Sequence, residues 1–211
     1  MNITEIFHSL QGEGPHQGFP TVFVRFTGCD LRCSWCDTAY AFHGGRAMTI
    51  EEILAAVMAF RCRRVCLTGG EPLLQKDLPR LAEALVDNGL LVSVETGGHR
   101  PLATLPARLT LVVDVKCPGS GEGGRFLEEN LRLLKPGDEL KFVVADWADL
   151  DFALEFCRSR QIPAGVTSRI SPAWGALDLP ELARRILASG QDVSLALQQH
   201  KLIWGAEARG V

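Results

Sequence analysis

No run of the 211 residues approaches the 18 or so consecutive apolar residues that a membrane-spanning helix needs. The opening MNITEIFHSLQGEGPHQG lacks the basic flank and apolar core of a secretory leader, so a cytoplasmic protein is expected. Nor is one sign of charge in excess: 22 Lys and Arg stand against 25 Asp and Glu, a formal net charge of -3. That balance offers no broad basic field for a nucleic-acid backbone and argues against nonspecific DNA or RNA binding. Ser/Gly linkers, blocks of like charge and internal repeats are missing as well, and residues 1–211 read as one domain. With 46% hydrophobic and 22% charged residues the chain has a globular mix, which excludes a disordered, collagen-like or coiled-coil protein.

Apolar and β-branched runs recur along the chain, most of them separated by helical patterns. Seven runs read as strands: 21–26, 64–67, 91–95, 109–115, 139–144, 166–170 and 193–197. Thr49 followed by Glu52 has the form of a capping box, and Ile53, Leu54, Val57 and Met58 make an apolar stripe, which predicts a helix ending near Phe60. Further helices are predicted over 79–88, stopped by Gly89, over 150–160, and over 180–189, closed by Gly190. Strands alternating with helices imply parallel pairing, with chemistry in the loops after the strands' carboxyl ends. A closed eightfold barrel takes about 250 residues, and the segment after Lys116 is too glycine-rich for a full crossover helix. The expected fold class is α/β, an incomplete TIM-like βα barrel of mostly parallel strands.

Cysteine is the informative residue type. Seven is an odd number, and three lie on a loop leaving the first predicted strand as Cys29-x3-Cys33-x2-Cys36. This fits a metal cluster in a reducing compartment better than a disulfide framework. A cubane 4Fe-4S cluster normally takes four protein thiolates, so three leave one iron open to a ligand that is not protein. The spacing also leaves open a zinc ion completed by His43 or another ligand, and with it a zinc-stabilised binding module. Cys62, Cys66, Cys117 and Cys157 read as small buried hydrophobes rather than as a second cluster, since Cys66 falls inside a strand and Cys157 on the apolar side of a helix pattern. Taken alone, Gly69-Gly70 is a turn signal. Leu10-Gln11-Gly12-Glu13-Gly14 sets an amide and a carboxylate on a flexible loop, a pair suited to the edge of a nitrogen heterocycle, and Arg25 can clamp a carboxylate. A plain turn and a surface strand residue are the other readings of these two features.

The thiol motif with Trp35 before its last Cys, followed after the next strand by Gly69-Gly70-Glu71-Pro72, resembles the radical S-adenosylmethionine superfamily. The resemblance implies a barrel of the radical SAM type and a 4Fe-4S cluster on Cys29, Cys33 and Cys36. It also implies S-adenosylmethionine at the open iron and a 5'-deoxyadenosyl radical that abstracts hydrogen. It points to Trp35, Gly69, Gly70, Glu71, Glu95, Thr96, Asp114, Lys116, Ser171 and Trp174 as contacts to that cofactor.

Within the superfamily, EIFHSLQGEGPHQGFPTVFVRFTGCDLRCSWCDT with CPGSG and the terminal QQHKLIWG closely resembles the 7-carboxy-7-deazaguanine synthase family, over nearly the whole chain. This implies a lyase acting on 6-carboxy-5,6,7,8-tetrahydropterin, whose carbon-6 hydrogen is taken before the ring contracts and ammonia leaves. On this resemblance Leu10, Gln11, Gly12, Glu13, Arg25, Thr68 and His200 hold the pterin and the Thr38 hydroxyl holds Mg²⁺. A flavodoxin or ferredoxin as reductant and a homodimer are implied too. The rival within the superfamily is an activase that forms a glycyl radical on a partner protein, which needs a docking surface; the 11–14 segment and Arg25 favour a small heterocycle. No catalytic acid or base is assigned among His8, His16, His43, His99 and His200.

Overall fold

The run at 21–26, apolar at Val22, Phe23, Val24 and Phe26, signals a strand covered on both faces, and the computed structural model, which describes residues 1–211, places it so. β1 (Asn2–Leu10) and β2 (Pro20–Phe26) form an antiparallel hairpin, and β3 (Arg46–Ala47) pairs with the start of β1. From β2 onward every pairing is parallel, through β4 (Arg64–Gly69), β5 (Leu91–Thr96), β6 (Thr110–Asp114), β7 (Glu139–Val144), β8 (Thr167–Pro172) and β9 (Val193–Leu195). The nine strands run in the order β3-β1-β2-β4-β5-β6-β7-β8-β9, so the sheet ends at β3 and β9 and is open rather than closed into a barrel.

Two of these strands lie outside the seven that the sequence predicts. β1 carries a bulge between Ile3 and Glu5 that breaks the two-residue alternation, and most of its side chains are half-buried. β3 is two exposed residues whose pairing exists because β1 is already in place. The sheet is therefore mostly parallel with an antiparallel edge.

The helices begin where their caps stand. α1 (Ile50–Ala59) starts at a complete capping box: the Thr49 hydroxyl accepts from the Glu52 N–H at 3.2 Å and the Glu52 carboxylate from the Thr49 N–H at 2.8 Å. α2 (Leu78–Asp87) buries Leu78, Leu81, Ala82 and Leu85. α3 (Trp147–Ser159) starts earlier than predicted because Asp146 accepts from the Asp149 N–H at 2.8 Å and caps it there. α4 (Leu179–Ser189) is capped by Asp178 and closed by Gly190 at φ 63°. A short α5 (Gln199–Trp204), which the sequence does not predict, is tied to the N-terminal loop by the Gln199 N–H on the Gly12 carbonyl at 3.0 Å. No helix is long and apolar enough to cross a membrane.

No α-helix forms between β5 and β6 or between β6 and β7; 3-10 turns at Leu102–Thr104, Pro118–Ser120 and Glu128–Leu133 take that place. Buried side chains seal these connections. Asn130 accepts from the Leu102 N–H at 3.1 Å and donates to the Gly98 and Arg100 carbonyls at 3.0 and 2.9 Å. Asp149 accepts from the Gly119 and Ala145 N–H groups at 2.8 and 3.0 Å. Each replaces the hydrogen bonds that a helix would have supplied. A core of 33 buried residues joins helices to sheet; along β2, Val22, Val24 and Phe26 enter it while Phe23 and Arg25 face a cavity on the other side.

Candidate active site

The cavity has a volume of about 310 Å³ and lies against the carboxyl ends of the strands. The 27–38 loop leaving β2 brings Cys29, Cys33 and Cys36 to its wall. Neighbouring loops hold this one in place. Asp30 accepts from Arg100 at 2.7 Å and meets His99 at 2.9 Å, both beyond β5. Ser34 donates through its N–H to the Ser120 carbonyl at 3.0 Å and through its hydroxyl to Gly119 at 2.8 Å, beyond β6. Burial opposes ionisation of Asp30, but Arg100 and His99 outweigh it and hold the carboxyl at about 2.

The glycine pair after β4 has a steric reason. Gly69 has φ 134°, and a Cβ on Gly70 would fall 2.0 Å from the Gly28 carbonyl oxygen. Without side chains there the two loops dock backbone to backbone, the Gly70 N–H on the Phe26 carbonyl at 3.1 Å and the Glu71 N–H on Gly28 at 2.8 Å. Glu71 points into the protein: its buried carboxylate accepts from the Leu73 N–H at 3.0 Å, the Thr96 hydroxyl at 2.8 Å and the Gly97 N–H at 2.9 Å.

The donor set on the cluster loop fits an iron–sulfur cluster. Burial raises the Cys29 and Cys33 thiols, and the neighbouring Cys36 charge adds to the effect at both. Thiolates crowded this way call for a cation. A cubane takes each of three such thiolates on a different iron. His43, the proposed fourth zinc ligand, is exposed and lies outside the cavity. Cys62, Cys66, Cys117 and Cys157 also lie outside it, on or near the core.

Across the cavity, Glu95 on β5 joins two groups that the resemblance gives to the pterin. It accepts from the Gln11 amide at 3.1 Å and from the Thr68 hydroxyl at 3.0 Å. Gly12 packs on His200, where a Cβ would lie 2.0 Å from the ring Nδ1. Burial lowers the His200 pKa, which favours the neutral ring. Arg25 donates through Nε to Glu5 at 2.7 Å, and Tyr40 donates to the same Glu5 oxygen at 2.8 Å. The terminal nitrogens of Arg25 make no protein hydrogen bond, so the end of its fork stays available. Thr38 lines the same cavity and donates to Asp37 at 2.9 Å.

Leu10, Gln11, Gly12, Glu13, Arg25, Thr68 and His200 thus share one cavity with the three thiols and Thr38. Trp35, Gly69, Gly70, Glu71, Glu95, Thr96, Asp114 and Lys116 line it too. Ser171 and Trp174 do not. Ser171 is buried within β8, paired with Val143, rather than on the loop beyond the strand, and Trp174 is half exposed.

The sequence did not single out several charged neighbours. Lys141 of β7 pairs with Glu13, Lys201 of α5 donates to Asp37 at 2.6 Å, and Glu5 and Tyr40 flank Arg25. Burial opposes ionisation of Asp37, but Lys201 outweighs it and holds the carboxyl at about 2. A lysine between Leu140 and Phe142 in an apolar strand was the one available signal for Lys141.

Residues 23–115 match the radical SAM superfamily. The chain is 47% identical to the 7-carboxy-7-deazaguanine synthase of Koribacter versatilis, covering 100% of both chains. It is 42% identical to the enzyme of that name from Thermoplasma acidophilum, covering 97% of this chain and 98% of the other. The crystal structure of QueE from Escherichia coli superposes with a TM-score of 0.79 at 25% identity, covering 94% of each chain. With the three-thiol loop and the polar N-terminal loop on one cavity, these relationships establish that the chain belongs to the 7-carboxy-7-deazaguanine synthase family of the radical SAM superfamily.

Proposed function

We propose that the chain converts 6-carboxy-5,6,7,8-tetrahydropterin into 7-carboxy-7-deazaguanine with release of ammonia, a lyase step of 7-deazapurine and queuosine biosynthesis. The observation that carries this reading is the single cavity with the three-thiol loop on one wall and the 11–13 loop with Arg25 on the other. Cys29, Cys33 and Cys36 would hold a 4Fe-4S cluster, with Trp35, Gly69, Gly70, Thr96, Asp114 and Lys116 around the cofactor's place. When bound, the cluster and S-adenosylmethionine supply an electron and then a 5'-deoxyadenosyl radical able to take the hydrogen at carbon 6. Ser171 and Trp174, at and beyond the end of β8, belong to the proposed cofactor set from outside the cavity's lining.

The chain's own residues bind, orient and exclude water. Glu5 aims Arg25 so that its free fork meets the substrate carboxylate, while Gln11, Glu13, Thr68 and His200 address the ring. Phe7, Phe23 and Val112 give the ring an apolar wall. Thr38 would give Mg²⁺ one protein oxygen, the rest of the shell coming from water and substrate. The 1–211 chain works as one cytoplasmic domain, a flavodoxin or ferredoxin reduces it, and a homodimer covers the sheet edges.

The test mixes anaerobically reconstituted, dithionite-reduced protein with S-adenosylmethionine, Mg²⁺ and carboxytetrahydropterin. The deazaguanine product is expected, in larger yield with Mg²⁺ than without. Formation of 5'-deoxyadenosine with no deazaguanine would reject the substrate, and zinc in place of iron and sulfide would reject the cluster.

A further inference from the structure

Lys141 belongs to no sequence motif, yet β7 presents it in the cavity wall, beside Asp114 of β6 in the strand register. Its ammonium pairs with Glu13 from the N-terminal loop, and the side chains of the pair are only 15% and 16% exposed. The other Glu13 oxygen accepts from the Gln198 amide at 2.8 Å. A carboxylate accepts up to about four hydrogen bonds, so each oxygen keeps room for one more donor. Two adjacent acceptors match two adjacent N–H donors, the pattern on the 2-amino-4-oxopyrimidine edge of a pterin.

We propose that Lys141 is a positioning residue for substrate recognition: by pairing with Glu13 it fixes that carboxylate, ionised, as a twin acceptor for the aminopyrimidine edge. The inference rests on the pterin reading above and deepens it. Burial alone would raise the Glu13 pKa, and Lys141, with Gln198 and His200, turns the net shift downward. Lys141 is itself held cationic, against burial, by Glu13, Asp114 and Glu95. The other charges in this field are Lys116 on β6, Glu139 on β7, Asp37 on the cluster loop and Lys201 on α5.

The experiment compares holoenzymes carrying Lys141→Met, Lys141→Arg, Glu13→Gln and the double change Lys141→Met with Glu13→Gln. For Lys141→Met, KM for carboxytetrahydropterin rises about tenfold while kcat changes far less, and KM worsens further as pH falls because Glu13 without its cation takes up protons. Lys141→Arg restores a KM that is flat with pH. The double variant is no worse than Glu13→Gln alone, since Lys141 acts through Glu13. The unreactive oxidised analogue 6-carboxypterin, followed by its fluorescence, reports the same shift in Kd without turnover. Thermal unfolding and iron content are recorded for each variant, and Lys141→Gln gives the same two readings should Lys141→Met not fold. An unchanged or pH-flat KM without the lysine, or full additivity in the double variant, overturns the inference while leaving the function standing. A wild-type enzyme that does not consume the pterin overturns the function, and the inference with it.

Discussion

The two walls of the cavity are built from different materials. On the parallel side the loops after β2 and β4 meet through backbone, at Gly28, Gly69 and Gly70, and the carboxylate of Glu71 is spent on protein donors. On the hairpin side the working groups are side chains in ion pairs, Glu5 with Arg25 and Glu13 with Lys141. The match to the radical SAM superfamily spans residues 23–115, which takes in the backbone-built wall and leaves out β1 and the 11–19 loop. Backbone geometry serves any substrate whose reaction begins the same way. Side chains on β1 and the 11–19 loop, outside that match, can be changed to suit one heterocycle without disturbing it.

The hardest blow to the first wall is Cys33→Ala, which is expected to abolish iron and sulfide loading and turnover together, as chemical analysis and product assay would show. Cluster loading that survives would remove Cys33 from the ligand set. Next comes Gly70→Ala: its new Cβ meets the Gly28 carbonyl at 2.0 Å, at a cost of about 3 kcal/mol, the upper end for overpacking. Thermal unfolding reads that loss, and KM for the pterin in the surviving folded enzyme should move less than iron retention.

The second wall is probed by Arg25→Lys. A lysine cannot stay on Glu5 and also offer a planar fork, so KM for carboxytetrahydropterin should rise by about tenfold to a hundredfold, ~1.4 to 2.8 kcal/mol. Affinity for S-adenosylmethionine should hold, and a parallel fall in it would erase the distinction between the walls. The smallest effect is expected from Thr49→Ala, which removes the α1 cap far from both walls. It should cost about 1 kcal/mol of stability in thermal or denaturant unfolding and leave KM and iron content alone.

Much of the parallel side was legible because its signals are local. The Thr49 and Glu52 pair starts α1, Gly89 and Gly190 follow α2 and α4, and β4 to β7 are mostly apolar and β-branched, as buried parallel strands are. β1 was not legible, because its bulge and half-burial erase alternation, and β3 and α5 exist only through pairing with distant segments. Lys141 was missed for a related reason: alternation shows that a strand has two faces but not which one meets a cavity. The strand predicted over 166–170 stops one residue short of Ser171, yet β8 runs on through Pro172.

The sequence alone determined the chemistry on offer: three thiols in one short loop, glycines where two loops must touch, and an alternating strand and helix order that brings strand ends to one side. These depend on neighbours a few residues apart and on steric rules that act within a turn. Only the tertiary structure decided which cation answers which carboxylate, Lys141 for Glu13 and Lys201 for Asp37, across separations of 128 and 164 residues. Ion pairing falls off with distance in space, and distance along the chain carries no record of it.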